Sequence, residues 1–348
     1  MSLVVLALLA QALPERPMPR PTVEHPEPFT VVGAIHELPD GRLLVVDSKD
    51  AAVRLVDFAG GTTVPVGRQG GGPGEYRAPG RFVIFGRDSV LLTDPRQRRS
   101  LLVSPMGALG ATFRIGTNEG SLPDAARTPA AGDAAGRLYF AGSALDPNEP
   151  LKIADSVPIL RLDRAAGRLD TLARILVARR DIQTTSAGGV LKAVEIRLVP
   201  FVPHDDWAVL PDGRVLVLRT GDYHLEVVGP DGKRTSGPRL PYVPIKTTAL
   251  DRAGLPGDLA IPAQKPPFSG PSTRPSPNGY VWIQRTMAAT DSVFRYDVLD
   301  LSGRLVARVA CPPRTRLAGF GRGAMYLVRR DEDDLEYVGR APLPALFP

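Results

Sequence analysis

The sequence predicts an all-β chain: a six-bladed β-propeller with four-stranded antiparallel blades. Three observations carry the prediction. A short unit recurs six times; its shorter spacings are those of propeller blades; and 36 prolines and 35 glycines sit mostly between short apolar runs, with no sustained helical period. At 348 residues the chain exceeds the size at which one hydrophobic core stops growing. Stacked repeats, each burying its face on the next, resolve that difficulty.

The unit is clearest at Leu38–Glu75, reading L-P-D-G-R-L-L-V-V-D, then V-R-L-V-D-F, then V-G-R-Q-G-G-G-P-G-E. Aligning the second-strand ends gives Asp47, Asp94, Gly142, Arg219, Arg285 and Arg329, separated by 47, 48, 77, 66 and 44 residues. The short separations match the roughly 40–50 residues of a four-stranded blade, and the long ones imply insertions at about 177–206 and 243–276. The blades then fall at about 33–67, 81–115, 132–175, 207–240, 277–310 and 317–343. In blade 1, Pro39-Asp40-Gly41 is a tight hairpin turn, and Leu210-Pro211-Asp212-Gly213 repeats it in blade 4. Blade 6 shows three strands before the chain ends, so closure falls to a strand near residues 20–25. The surrounding Pro17, Pro19, Pro21, Pro26 and Pro28 confine that strand to an edge. Within the second insertion, Thr247–Gly254 reads as a turn or two of helix, and residues 117–132 form a shorter third link.

The amino terminus reads differently. Leu3–Ala10 (LVVLALLA) has the length of a signal-peptide core, and Ala10-Gln11-Ala12 is an A-x-A cleavage pattern. Residues 1–12 are therefore read as a signal-peptide remnant and 13–348 as one domain. The chain is expected to be exported, periplasmic or secreted, with no membrane span. Cys311 is the single cysteine, so no intrachain disulfide can form and it is expected to be a small core residue. The net charge is +6, but only six of the 43 basic residues are lysines, and the arginines are scattered without a basic block or interleaved aromatics. That pattern lacks the electrostatic footprint of nucleic-acid binding.

At Val66–Tyr76 (VGRQGGGPGEY) and Asp47–Arg54 (DSKDAAVR) the sequence resembles the NHL-type propeller repeat. Lys265–Phe268, Tyr296–Asp300 and Arg330–Leu335 are similar to stretches of exported bacterial six-bladed propellers, mostly of unassigned function. The resemblance covers nearly the whole chain and implies the fold, not an activity. Asp50 stands where the repeat has asparagine, and blades 3 to 6 lack the glycine linker. Related propeller lactonases hold a divalent ion with Glu, Asn and Asp. Here asparagine occurs only at Asn118, Asn148 and Asn278, away from inner and second strand ends.

In an antiparallel blade, second-to-third-strand loops and blade-to-blade links open on one face. That face collects the glycine loop Arg68–Glu75, the segment His204-Asp205-Asp206-Trp207, the stretch Lys265–Phe268 and the ring of second-strand ends. Guanidinium forks suit carboxylates, sulfates and phosphates. The candidate ligand-binding residues are therefore Asp47, Asp94, Arg219, Arg285, Arg329, His204, Asp205 and Lys265, facing an anionic or sugar-acid ligand at the channel mouth. The alternative is that Asp47 and Asp94 order their own loops, or pair with strand arginines such as Arg54, while the arginines are solvated. Gly70–Gly74 lacks the lysine and hydroxyl residue of a phosphate loop and reads as a permissive linker. His25, His36, His204 and His224 show no metal-ligand spacing, and Asp331–Asp334 lacks calcium-loop spacing. No catalytic residue, cofactor or metal is expected. The chain is read as a monomeric, non-enzymatic module for a small anionic ligand or a protein partner; the alternative is a hydrolase or lyase with its site in the central channel.

Overall fold

The computed structural model describes residues 13–86, 89–113, 115, 128–145, 152–187 and 190–344. Within them the chain is a six-bladed β-propeller of four-stranded antiparallel sheets. Blade 1 comprises Val32–Glu37, Leu43–Asp47, Ala52–Asp57 and Thr62–Pro65. Blade 2 comprises Phe82–Phe85, Ser89–Asp94, Arg99–Val103 and Leu109–Phe113. Blade 3 follows with Ala131–Gly132, Leu138–Ala141, Ser156–Asp163 and Arg168–Leu176. Blade 4 has Asp206–Val209, Val215–Arg219, His224–Val228 and Arg234–Ser236. Blade 5 has Thr273–Pro275, Val281–Gln284, Arg295–Leu299 and Leu305–Ala310. Its inner strand lies before residue 277 because Ser276–Tyr280 carries turn chemistry and closes with the Ser276 amide donating to Tyr280 O at 2.8 Å.

Blade 6 draws three strands from the carboxy-terminal end, Thr315–Gly321, Ala324–Arg330 and Glu336–Pro342. Its fourth is Val23–Glu24, antiparallel to the last of these with Val23 opposite Arg340. Upstream, Glu15–Pro17 adds a parallel fifth strand to the outer edge of blade 5. The amino-terminal segment thus straps two blades before entering the third of its neighbours. Residues 1–12, where the signal segment is expected, lie outside the described residues, as do residues 116–127 of the link before blade 3. No described helix is long and apolar enough to cross a membrane.

Second strands are continuous apolar runs because neighbouring blades cover both of their faces. Leu43–Val46 and Val215–Leu218 are buried throughout. Among the described residues the core divides into six apolar clusters, each between two successive blades. The cluster that closes the ring packs Phe29, Val32 and Val45 against Tyr326, Val328 and Val338. Inner strands approach closely: a Cβ at Gly132, in blade 3, would overlap the Ile84 carbonyl oxygen of blade 2. Antiparallel register then brings the start of each inner strand beside the end of the second strand, as with Val32 opposite Asp47 and Thr315 opposite Arg329. These ends make the upper face of the disc.

Both insertions stand at this face. The first carries a hairpin of Arg180–Ala187 and Val190–Leu198. The second pairs Ile245–Lys246 with Gln264–Lys265 around one helical turn, Ala249–Arg252. They are tied together by Arg197 to Asp258 at 3.2 Å, and by the Gly270 amide donating to His204 Nε2 at 3.2 Å.

Candidate functional site at the channel mouth

The carboxylates at the second-strand ends hold the backbone of their own blades. Asp47 is fully buried and accepts from the amides of Thr30, Val31, Lys49 and Asp50 at 2.7–3.2 Å. Asp94 is buried likewise and accepts from the Arg77 and Ala78 amides and from Gln97 Nε2 at 2.8–3.1 Å. Each clamps the link entering its blade to the loop leaving the second strand. In blade 4 an arginine occupies the strand end, and the carboxylate comes from the link instead. Asp205 accepts from the Leu176 and Thr220 amides at 3.0 Å and from Arg219 at 2.9 Å.

The arginines are paired too. Arg219 also meets Glu226 at 2.7 Å; burial works against its charge, but its hydrogen bonds to Glu226 and Asp205 outweigh that and raise its pKa. Arg329 bonds Glu24 of the strap at 2.6 Å, which raises its pKa, and lies over the Tyr337 ring. Arg285 lies 3.9 Å from the buried Asp297, which also receives the Tyr223 hydroxyl at 2.8 Å and faces Arg308 at 3.4 Å. Burial pushes the Asp297 carboxyl above its usual range despite these cations. His204 is engaged on both ring nitrogens, at Val202 O and the Gly270 amide. Lys265 is buried with Asp251 at 2.5 Å, donates to Met287 O, and sits over Phe201. Of the eight residues read as ligand contacts, Arg285 also lines an open cavity, of about 260 Å³. The others are joined to one another or to the scaffold: Arg219 meets Asp205, and His204 and Lys265 brace the insertions.

The structure places a different set at the mouth. A cavity of about 450 Å³ is lined by the inner strands of blades 2, 3, 4 and 5, which puts it on the axis. Arg81, Ala130, Asp206 and Pro271 stand at its upper end. Phe82, Ile84, Trp207, Val209 and Thr273 form its walls. Arg81 is exposed and donates to Ala130 O at 3.3 Å. Asp206 accepts from the amides of Ser272 and Thr273 at 2.7 Å, so its carboxylate aims the inner strand of blade 5. The Thr273 hydroxyl is closed to solvent and, among the described residues, has no hydrogen-bond partner. Arg274, next along the same strand, turns to the other side. Its guanidinium makes one long contact, to Ser272 O at 3.4 Å, and among the described residues meets no carboxylate within ion-pair reach. Burial, with the Arg316 charge close by, lowers its pKa. His36, on the inner strand of blade 1, is also lowered by burial and tilts against Phe82 at 5.8 Å.

The sequence signal for this set lies in the first strands, not the second. Arg81-Phe82, Asp206-Trp207, Thr273-Arg274 and Thr315-Arg316 all fall where a link becomes an inner strand. Among the described residues, no group of three or more His, Cys, Asp or Glu side chains is placed to hold a metal ion.

No protein-family model matches the chain, and no curated protein matches it in sequence. Solved structures do resemble it. A gluconolactonase from Xanthomonas campestris is 12% identical over 91% of this chain and 87% of its own, with a TM-score of 0.48. A member of the DUF4221 family from Bacteroides vulgatus is 9% identical over 93% and 96%, at 0.47. A virginiamycin B lyase from Staphylococcus aureus is 10% identical over 93% and 88%, at 0.41. The architecture of the present chain is read from its own sheets, and these likenesses say nothing about activity.

Proposed function

We propose that this propeller is a non-enzymatic binding module that takes an anionic sugar or sugar acid in the axial cavity. One observation carries the reading: Arg81, Trp207 and Asp206 line a single cavity on the axis, with an exposed guanidinium and an indole on the same space. A guanidinium fork matches a carboxylate, and an indole face covers the apolar face of a sugar ring. The volume lies within the range of small-ligand sites. The test is thermal shift and calorimetry with gluconate, glucuronate and galacturonate, against glucose as the neutral control. The intact protein should be stabilised by an acidic sugar and not by glucose, and Arg81→Ala or Trp207→Ala should abolish the shift. No stabilisation by any acidic sugar ends the proposal. Mass spectrometry of the same mixtures, showing conversion of a sugar acid or its lactone, would move the chain to the hydrolase or lyase class.

A protein partner is favoured by one separate feature. The first-insertion hairpin sets Val194, Ile196 and Leu198 along one face, 42%, 43% and 61% exposed. Its opposite face carries Arg197, which is anchored to Asp258. An apolar face turned outward suits association. Val194→Ser with Ile196→Ser should leave the ligand shift intact and reduce capture of such a partner.

A further inference from the structure

A second cavity, of about 420 Å³, opens on the upper face between blades 5 and 6, and no residue of it lines the axial cavity. Its floor is apolar, made by Met287 and Phe294. Its lip carries Arg314 and Arg330, with side chains 44% and 49% exposed, and both lean on the same carboxylate, Asp334, at 3.2 and 3.3 Å. Deeper in, Arg316 is held by Glu336 at 2.8 Å. The remaining acidic group of the wall, Asp291, is taken by Arg295. Among the described residues, three guanidinium groups therefore share two carboxylates, and Arg274, which feels Asp206 only from beyond ion-pair reach, stands near Arg316. The lip is also strained. Arg314 and Asp334 hold φ values of +56° and +64°. A non-glycine residue in the left-handed region costs free energy, and such residues concentrate at ligand clamps.

We propose that this cleft is a second binding site, for a small amphipathic anion whose apolar body lies on Met287 and Phe294 and whose single anionic head meets Arg314 and Arg330. The apolar floor rejects a fully hydrated ion such as inorganic phosphate, and the shared Asp334 leaves the arginine pair undercompensated, so neither half of the ligand suffices alone. Arg314 also donates through Nε and Nη2 to the Arg330 and Asp331 carbonyls, and Arg330 through Nε to Asp334 O. An arriving head group therefore meets Arg314 Nη1 and the two terminal nitrogens of Arg330, for which the described residues supply no hydrogen bond.

The probes are 3-phenylpropionate and phenyl phosphate, with 3-phenylpropanol and inorganic phosphate as single-feature controls, read by calorimetry and ligand-observed NMR on the full chain. Both anions should bind saturably, each at least tenfold tighter than either control. Arg314→Ala with Arg330→Ala should remove that preference. Met287→Trp, which fills the floor without touching a charge, should remove binding while circular dichroism and the melting profile stay native. Trp207→Ala, in the axial cavity, should leave it unchanged. Absence of saturable binding, equal binding of the alcohol, or loss of binding in Trp207→Ala would each overturn the second site. The outcome is independent of whether sugar acids bind on the axis.

Discussion

Glu336 Oε2 accepts the Val32 amide at 2.7 Å across the seam where the two ends of the chain meet. The same oxygen receives Arg316 at 2.8 Å, and Arg316 in turn donates to Val32 O at 2.6 Å. One buried carboxylate and one guanidinium thus serve both backbone polar groups of Val32, where blade 1 begins against blade 6. Glu336→Ala leaves the Val32 amide without its acceptor and the Arg316 cation with Val32 O but no carboxylate, a loss of about 3 kcal/mol by analogy with broken buried pairs. Glu336→Gln keeps an oxygen for the amide and should recover part of it. Urea unfolding of the two variants checks the order; equal stability of all three proteins would mean the seam does not depend on this group.

Asp47 and Asp94 perform one task in two blades, each accepting the amides of residues 17 and 16 positions before it. Their replacement should therefore cost stability and spare ligand binding. Asp47→Ala and Asp94→Ala are each expected to lose about 2–3 kcal/mol, since several buried amides lose a charged acceptor. Arg329→Ala, which breaks an exposed pair, is expected to lose less than about 1 kcal/mol. A sugar-acid shift that disappears in Asp47→Asn but survives in Trp207→Ala would return the site to the second-strand ends.

The blades were legible because their second strands are apolar on both faces and bounded by turns such as Leu38-Pro39-Asp40-Gly41. What the polar strand ends do was not. Asp47 reads as a mouth residue because its partners are backbone amides, which every residue type supplies and no sequence pattern marks. Arg219 could have been paired with Glu226 from strand spacing, but Asp205 reaches it only through the geometry of the link. The strand Glu15–Pro17 is three residues long, carries a proline, and pairs in parallel, so it offers no alternation to read. The insertion hairpin did offer one: Gly188-Gly189 separates two runs of alternating character, a hairpin signal.

Asp297 supplies a pH dependence whose direction is set by its surroundings. Burial raises its folded pKa, and Arg285, the Tyr223 hydroxyl and Arg308 only partly counter that. Between the ordinary carboxyl range and the raised folded value, the native state keeps a proton that the unfolded chain releases. Stability from this group is therefore fully present below the unfolded pKa and is lost as pH rises through the folded pKa. Asp297→Asn removes the titration. The unfolding free energy of the variant minus that of the parent should fall as the medium is acidified from about pH 8 to about pH 4, because other carboxyls cancel in the difference. A flat difference across that range would place the folded pKa in the ordinary range.

Cys311 is 4% exposed within the cluster between blades 5 and 6, and burial pushes its thiol up to about 12. The thiolate is the reactive species, so the native protein should resist thiol reagents at neutral pH. Modification should begin only as blades 5 and 6 separate, and its midpoint in urea should coincide with loss of near-ultraviolet circular dichroism from Trp282 and Tyr296 in the same cluster. Rapid labelling without denaturant would show that this interface opens on its own.

The axial cavity depends on blade spacing, and two glycines separate that dependence from stability. A Cβ at Gly132 would overlap the Ile84 carbonyl oxygen and come within 3.2 Å of Val83 Cγ1, and both Ile84 and Gly132 line the cavity. A Cβ at Gly237 would meet Gly303 Cα at 2.7 Å and Ser302 O at 2.8 Å, far out on blades 4 and 5. Each alanine variant forces packed backbone apart and should lose about 1–3 kcal/mol. Gly132→Ala moves the inner strands of blades 2 and 3, shifting Arg81 relative to Trp207, so its response to the acidic sugar should weaken severalfold. Gly237→Ala should bind as the parent does despite its lower melting temperature. If the outer variant loses binding as completely as the inner one, the ligand response follows global stability, and the spacing of Arg81 and Trp207 around the axis is not what selects the ligand.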